Sequence, residues 1–218
     1  PVLSPDGHWL LYVHTYEGQD ALALVDAEGK HWPSRLVSGE DFYMQPCWHP
    51  DGRRIAWIAW NHPNMPWDGT WLRTGKLAMG ESGMPSIYEM TTVAGDEQTS
   101  IFQPQFSPDG RWLAFVSDKS GWWQIYLYDL EGGELRQLTQ VAAEHGEPAW
   151  VQGVRTYTFS ADGKWLFFLR NQMGNITLWL LEIATGAEQP IPLVGYTALT
   201  QPAASLDGKR LALIASAG

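Results

Sequence analysis

The sequence predicts an all-β fold, a β-propeller built of four-stranded blades. A phrase of about ten residues occurs five times, beginning at Ser4, His49, Ser107, Ser160 and Ser205. In each copy an Asp-Gly pair, which suits a tight turn, precedes an apolar run that has the composition of a buried strand. The five aspartates, 45 to 58 residues apart, are Asp6, Asp51, Asp109, Asp162 and Asp207. This is the period expected of propeller blades.

Composition narrows the classes of function. The 218 residues are 44% hydrophobic, enough for a packed core, and include 13 tryptophans. The formal net charge is −10 without a basic cluster, so we expect no nucleic-acid partner. No apolar run approaches the roughly 18 residues of a membrane span. Cys47 is the single cysteine, which rules out an internal disulfide and is consistent with a reducing, cytoplasmic location.

The repeat units begin near residues 1, 43, 101, 147 and 199. In the first unit, strand-forming runs are expected at residues 2–3, 9–14, 21–25 and 35–37. In the second, the third strand is expected within Trp71–Met79 and the fourth within Ile87–Val93, with a loop at residues 80–85.

The third unit has the clearest alternation, and its third strand is predicted from Trp122 to Leu130. The fourth has a final strand expected near Ile191–Val194, and the fifth contains only its first half. We therefore expect about four blades and part of a fifth, an incomplete arc of a larger ring; a small closed five-bladed ring is the alternative. Since Pro1 lies almost inside a repeat, we expect the natural protein to begin upstream. The exposed edge strands of an open arc would favour pairing between copies.

Three stretches carry a resemblance to a known family. The repeat phrase and residues 121–139 resemble the propeller repeats of TolB and of prolyl-oligopeptidase-family serine peptidases. Residues 62–70, HPNMPWDGT, and the long stretch 100–159 resemble the bacterial acylaminoacyl-peptidase-like members of that peptidase family. The resemblance covers the whole chain and corresponds to the N-terminal propeller of the family.

The resemblance implies that catalysis takes place outside this chain. In the family a C-terminal α/β-hydrolase domain carries a Ser-Asp-His triad with the serine in a G-x-S-x-G motif. The nearest string here, residues 80–84, places the second glycine one position early and lies in a predicted loop. We therefore expect no catalytic residue and no cofactor in this chain. Its expected partners are the hydrolase domain and the short peptides that it would admit.

Two other classes of function remain open. A TolB-like propeller would bind other proteins and have no enzymatic domain. A free-standing propeller lyase or glycosidase would need paired carboxylates or metal ligands converging on the channel. The sequence places no such pair, so the enzyme class ranks last.

The insertion from Asn61 to Trp71 is the strongest candidate for a functional loop. It interrupts the repeat with three prolines, which stiffen it, and long insertions in repeats are commonly functional. The candidate contact residues for a hydrolase domain or a peptide are His62, Asn64, Trp67 and Asp68. The structural alternative is that Trp67 packs over a blade edge.

A second set of candidates lies in the third and fourth units: Trp122, Glu144, Glu147 and Arg155. In related peptidases, propeller carboxylates can hold the amino terminus of a substrate; the alternative here is a solvated charged surface. Zinc at His145 with the neighbouring glutamates is the best metal alternative, but no H-x-x-x-H pattern occurs. Each Asp-Gly turn offers a single carboxylate, too few for calcium, so we expect no metal site.

Overall fold

The computed structural model describes residues 1–81 and 83–217, and all of its regular elements are β-strands. The predicted all-β fold of four-stranded sheets is confirmed. In the described residues no helix is long and apolar enough to cross a membrane. Ser82, part of the string resembling a nucleophile motif, lies outside the described residues. The chain forms two compact units, Pro1–Phe106 and Ser107–Gly218.

The first unit contains two complete antiparallel sheets whose strands follow chain order. The first sheet consists of β1 (Val2–Leu3), β2 (Trp9–Tyr16), β3 (Gln19–Asp26) and β4 (Ser34–Val37). The second consists of β5 (Phe42–Trp48), β6 (Arg54–Trp60), β7 (Thr70–Met79) and β8 (Pro85–Asp96). The unit ends with β9 (Ile101–Phe106).

The remaining strands complete two further four-stranded sheets and one pair. The third sheet adds to β9 the strands β10 (Trp112–Ser117), β11 (Gln124–Asp129) and β12 (Leu135–Gln137). The fourth consists of β13 (Tyr157–Phe159), β14 (Trp165–Gln172), β15 (Asn175–Glu182) and β16 (Glu188–Ile191). The last pair is β17 (Ala198–Ala204) and β18 (Leu211–Ser216).

The Asp-Gly turns join the first strand of each sheet to the second. In the four copies that begin with serine, the serine hydroxyl donates to the aspartate Oδ1 at 2.5–2.6 Å and accepts the N–H five residues ahead at 2.9–3.0 Å. The same Oδ1 accepts the N–H two residues further on. The glycines of the five turns have φ between 69° and 76°, which a Cβ would strain. Each turn thus uses its own carboxylate internally.

The core of the first unit is built around Trp57, which is fully buried on β6. Gly75, on the adjacent β7, makes room for the indole. A Cβ there would lie 2.8 Å from Ile87 Cδ1 and 3.2 Å from the Trp57 ring. Alternation along the strands supplies the other buried side chains of this cluster: Leu11, Leu22, Leu24, Tyr43, Ile55, Ala59 and Leu77.

A Gln-Pro bulge recurs in the first strand of three sheets. Gln45, Gln103 and Gln201 all stand six residues before a turn aspartate and have φ of 49°, 53° and 58°. The pairing register shifts at two of them, between Met44 and Cys47 and between Thr200 and Ala203. A bulge re-aims the side chain of its strand.

The re-aimed glutamines bond to the neighbouring sheet. In the first unit Gln45 Oε1 accepts the backbone N–H of Gln103 at 2.6 Å, which joins β5 to β9. In the second unit Gln201 Oε1 accepts from Arg155 Nε at 3.2 Å, and the Gln201 N–H donates to the Arg155 carbonyl. The bulge therefore ties the first strand of one sheet to its neighbour, through the first strand β9 in one case and through the segment just before β13 in the other.

Two expected strand positions are wrong. The third strand of the third sheet begins at Gln124, not Trp122, because Gly121 turns with φ of 85° and the Trp123 N–H donates to the Glu144 carboxylate. The last strand of the fourth sheet is β16, three residues earlier than expected. Pro192, which lacks an N–H, follows it directly.

Replacing Gln45 by alanine should lower the free energy of unfolding by about 1–2 kcal/mol, because the Gln103 amide loses this acceptor. The measurement is urea unfolding followed by tryptophan fluorescence. Met173→Ala is the matched control, since Met173 also has positive φ but is fully exposed, and it should stay within about 0.5 kcal/mol of wild type. Equal effects of the two variants would contradict a bonding role for Gln45.

Candidate functional site

All eight candidate residues lie at one kind of position within their sheets. Because the strands are antiparallel and in chain order, the Asp-Gly turns occupy one end of each sheet. The connections between second and third strands, and those leading to the next sheet, lie at the opposite end. Residues 61–69 in the first unit, and 118–123 and 138–156 in the second, are such connections. The candidate residues thus all lie at the sheet ends opposite the turns.

The loop 61–69 is anchored at its start by Asn61. Its Oδ1 accepts the N–H of Asp41 at 2.7 Å, and its Nδ2 donates to Glu40 at 2.6 Å. Glu40 also forms an ion pair with Arg73 of β7, in which both side chains are mostly buried. Both polar atoms of the Asn61 carboxamide therefore join the loop to the segment before β5.

His62 is exposed, but its position is fixed. Its N–H donates to the Asp41 carboxylate at 2.9 Å, and the peptide bond to Pro63 is cis. The imidazole packs edge-on against Phe42 with ring centres 4.8 Å apart, and Phe42 stacks on Trp60 at 5.1 Å. The loop residue His62 is thus packed at the end of a row of rings that continues through Phe42 of β5 to the buried Trp60 of β6.

The rest of the loop is held by the segment after β8. Asn64 donates to the carbonyl of Glu97 at 2.8 Å, and the Pro66 carbonyl accepts from the Ser100 hydroxyl. A Cβ at Gly69 would lie 2.3 Å from the Glu97 carbonyl group, so only glycine fits there. Asp68 accepts the Met65 N–H at 2.9 Å, which closes a local turn. Trp67 is half-buried, whereas His62, Met65 and Asp68 are exposed.

In the second unit, the structure gives Glu144 an internal role. Its carboxylate accepts the Trp123 N–H at 2.9 Å, and its backbone exchanges two hydrogen bonds with Asn171 of β14. Glu147 is exposed, and Trp122 is 43% exposed. Arg155 is exposed and donates a hydrogen bond to Gln201, a residue that is distant in sequence from the two glutamates.

His145, next to Glu144, is almost fully buried and belongs to a polar network. Its Nε2 accepts from Arg170 Nε at 3.0 Å, and its Nδ1 lies 3.1 Å from the Trp123 carbonyl. The Arg170 side chain, also buried, pairs with Glu188 and lies 4.0 Å above the Trp179 ring. Burial, together with the nearby guanidinium, lowers the pKa of His145 to about 4. The imidazole is therefore neutral at pH 7, a form suited to accept from arginine.

Neither Arg170 nor Glu188 is among the candidate residues named from the sequence. A signal was present, because Arg170 follows Phe168 by two residues on a strand whose alternate side chains are buried. A charged side chain at a buried position of a strand requires a hydrogen-bond or ion-pair partner. Within residues 1–81 and 83–217, no three His, Cys, Asp or Glu side chains converge as metal ligands would.

Comparison with known proteins places the chain among propellers. The model of the TolB β-propeller domain family matches residues 26–218. An uncharacterised peptidase, YuxL, of Bacillus subtilis is 30% identical over 172 residues, which are 78% of this chain and 21% of the relative. The Tol-Pal system protein TolB of Bordetella pertussis is 26% identical over 151 residues, 55% of this chain and 33% of that protein.

A solved puromycin hydrolase superimposes with a TM-score of 0.85 at 28% identity. The match covers all of this chain and 33% of that structure. The chain thus spans about a fifth to a third of the length of these three proteins. The resemblance expected from the sequence, to TolB and to peptidases of the prolyl-oligopeptidase family, is confirmed.

The depressed pKa of His145 predicts a specific pH dependence of stability. The ordinary pKa of 6.5 applies to the unfolded chain and about 4 to the folded one, so the unfolded chain binds the proton first. Neutral His145 therefore makes its full contribution to the free energy of unfolding above pH 6.5. This contribution is lost as the pH falls towards 4, by up to about 3 kcal/mol. The measurement is urea unfolding at pH 7, 6, 5 and 4. The free energy of unfolding of His145→Gln should not show this loss, whereas that of wild type should.

His31→Gln, at an exposed position, is the matched control and should follow wild type across the series. If the stability of His145→Gln falls as steeply as that of the wild-type chain when the pH is lowered, the buried imidazole does not titrate as described.

Proposed function

Because the chain belongs to the TolB β-propeller domain family, and its match to a puromycin hydrolase covers its whole length, we propose a role within a peptidase. The chain is the non-catalytic N-terminal propeller of a prolyl-oligopeptidase-family serine peptidase. It gates the access of short peptides to a C-terminal α/β-hydrolase domain. The whole-length match to a peptidase is the observation that carries the proposal.

The geometry of the loop 61–69 supports a docking role. Asn61 and Asn64 anchor it through their side chains, and the close approach at Gly69 holds its end, whereas the side chain of Met65 is exposed. A loop that is ordered before it binds loses little conformational freedom on contact with a domain or a peptide. Closing a propeller over a hydrolase would exclude folded proteins and water from the nucleophile.

A protein-binding scaffold of the TolB type is the second candidate. The identity to the Bordetella TolB protein and the family model favour it. In this function the same sheet ends would contact another protein, and no hydrolase domain would be present.

A fluorophosphonate probe separates the two candidates. The intact natural gene product is labelled, digested and mapped by mass spectrometry. We expect one labelled serine in a G-x-S-x-G context, C-terminal to the region described here. Residues 1–218 alone should neither be labelled nor hydrolyse peptide or ester substrates. A product without a reactive serine would overturn the peptidase role and favour the scaffold.

Substitutions at the two ends of the sheets test where substrate or the hydrolase is contacted. Met65→Lys, at the exposed part of the loop 61–69, should reduce kcat/KM of the intact enzyme for short peptides by about fivefold or more, since a charge would be desolvated on docking. Leu206→Lys, fully exposed in an Asp-Gly turn at the other end of its sheet, is the control and should leave kcat/KM unchanged. Equal losses would argue against a role for the loop.

We also propose that the protein acts in the cytoplasm. The support is Cys47, the single cysteine of the sequence, which excludes an internal disulfide and fits a reducing compartment. Fractionation of the native host with an antibody tests the location, and recovery outside the cytoplasm would overturn it.

A further inference from the structure

Residues 143–146, which we call the latch, lie in the connection between the third and fourth sheets and are attached at two places. Glu144 exchanges two backbone hydrogen bonds with Asn171, near the end of β14. The His145 N–H donates to the Trp123 carbonyl at 2.8 Å, and the Glu144 carboxylate accepts the Trp123 N–H. The latch therefore joins the end of β14 to the residue just before β11.

The latch is flanked by exposed segments and contains no regular strand. Residues 140–142 before it and Glu147 after it are exposed, whereas within it Ala143 and His145 are buried. A short segment with few buried contacts opens locally at a lower free energy than the sheets around it. The larger of the two buried side chains, His145, is the main contact of the latch with the interior.

Protonation of His145 is incompatible with the contacts of the closed latch. Nδ1 faces the Trp123 carbonyl and Nε2 accepts from Arg170 Nε, so a neutral ring with its proton on Nδ1 satisfies both. A proton on Nε2 would make two donors face each other. It would also place two buried cations beside one carboxylate, that of Glu188, which already pairs with Arg170.

Three other charged groups belong to this cluster: Arg170 on β14, Glu188 on β16 and Glu144 in the latch itself. From the connection 118–123, the group in contact with the imidazole is the uncharged Trp123 carbonyl. Burial and the Arg170 guanidinium lower the pKa of His145 to about 4 in the closed latch. The ring therefore binds a proton more readily once the latch has opened.

We propose that the latch is an acid-sensitive switch, in which protonation of His145 Nε2 breaks the hydrogen bond from Arg170 and releases residues 143–146 from β14 while the sheets remain folded. Because the open form takes up the proton, acidification raises the population of the open form. Release frees the backbone groups of Trp123 and Asn171 at sheet ends opposite the turns. The inference depends on neither the proposed peptidase role nor the proposed location.

Amide hydrogen exchange of the full 218-residue chain, resolved by NMR at pH 7 and pH 5, tests the proposal. The amides that report on the latch are those of Trp123, Glu144, His145 and Asn171, and buried residues 113–116 of β10 are the reference. Protection factors are corrected for the intrinsic pH dependence of exchange. In wild type the reporter amides should be less protected than β10 at both pH values.

The protection factors of the reporter amides should also fall about twentyfold between pH 7 and pH 5, as expected for a pKa of 6.5 in the open form and about 4 in the closed form. In His145→Gln the side-chain carbonyl can accept from Arg170 but takes up no proton at these pH values, so the fall should be less than about twofold. His31→Gln, at an exposed position, is the matched control and should show the full fall of wild type.

Two results would overturn the proposal. Reporter amides that are as protected as β10 at pH 5 would mean that the latch opens only when the sheets unfold. A twentyfold fall that persists in His145→Gln would assign the response to Glu144 or Glu188, which this variant retains. If His145→Gln does not fold, the comparison of the reporter amides with β10 in wild type and in His31→Gln still decides whether the opening is local and driven by acid.

Discussion

In four of the five sheets, the start of the second strand depends on the hydrogen bonds of the serine hydroxyl in the repeated turn. This hydroxyl donates to the aspartate and accepts the N–H at the start of the second strand, so it fixes where that strand begins relative to the first. The hydrogen bond from serine holds the pKa of Asp6, Asp162 and Asp207 below its ordinary value, so these carboxylates stay ionised at a lower pH than an ordinary aspartate. With the turn fixed, the apolar run behind it is placed in a defined register, and its alternate side chains reach the core.

Each sheet is constrained at the end that carries the Asp-Gly turn, whereas the connections at its opposite end can vary in sequence and length. The loop 61–69 and the segment 138–156 differ from the rest of the repeats, and both are at the ends opposite the turns. Each is tied down by its own set of contacts: Asn61 with Asp41 and Glu40 in one unit, Glu144 and His145 with β14 in the other. Because each variable segment is held by its own contacts, it forms an ordered surface whose sequence can change without disturbing the sheets.

The sequence was sufficient to predict the sheets, because the turn phrase and the alternation behind it are local signals. It could not predict the start of β11, because the Trp123 N–H is taken by Glu144, 21 residues away. The same limit applies to the site. The loop 61–69 was visible as a break in the repeat, but the assignment of Glu144 to an internal contact requires the position of β14. The link between His145 and Arg170 spans 25 residues and joins two side chains that no short motif connects.

His49 shows what the turn requires of its first residue. In the second sheet it replaces serine, and its Nδ1 lies 2.7 Å from the Asp51 carboxylate, in place of the hydroxyl contact. The glycine N–H still bonds the carbonyl of the first residue at 2.9 Å, as in the other copies. Duplicated copies can therefore diverge at this position while the backbone of the turn is conserved. A blade in which both the serine and the Asp-Gly pair had drifted would leave no trace in a motif search, so counts of repeats made from sequence in such proteins are lower bounds.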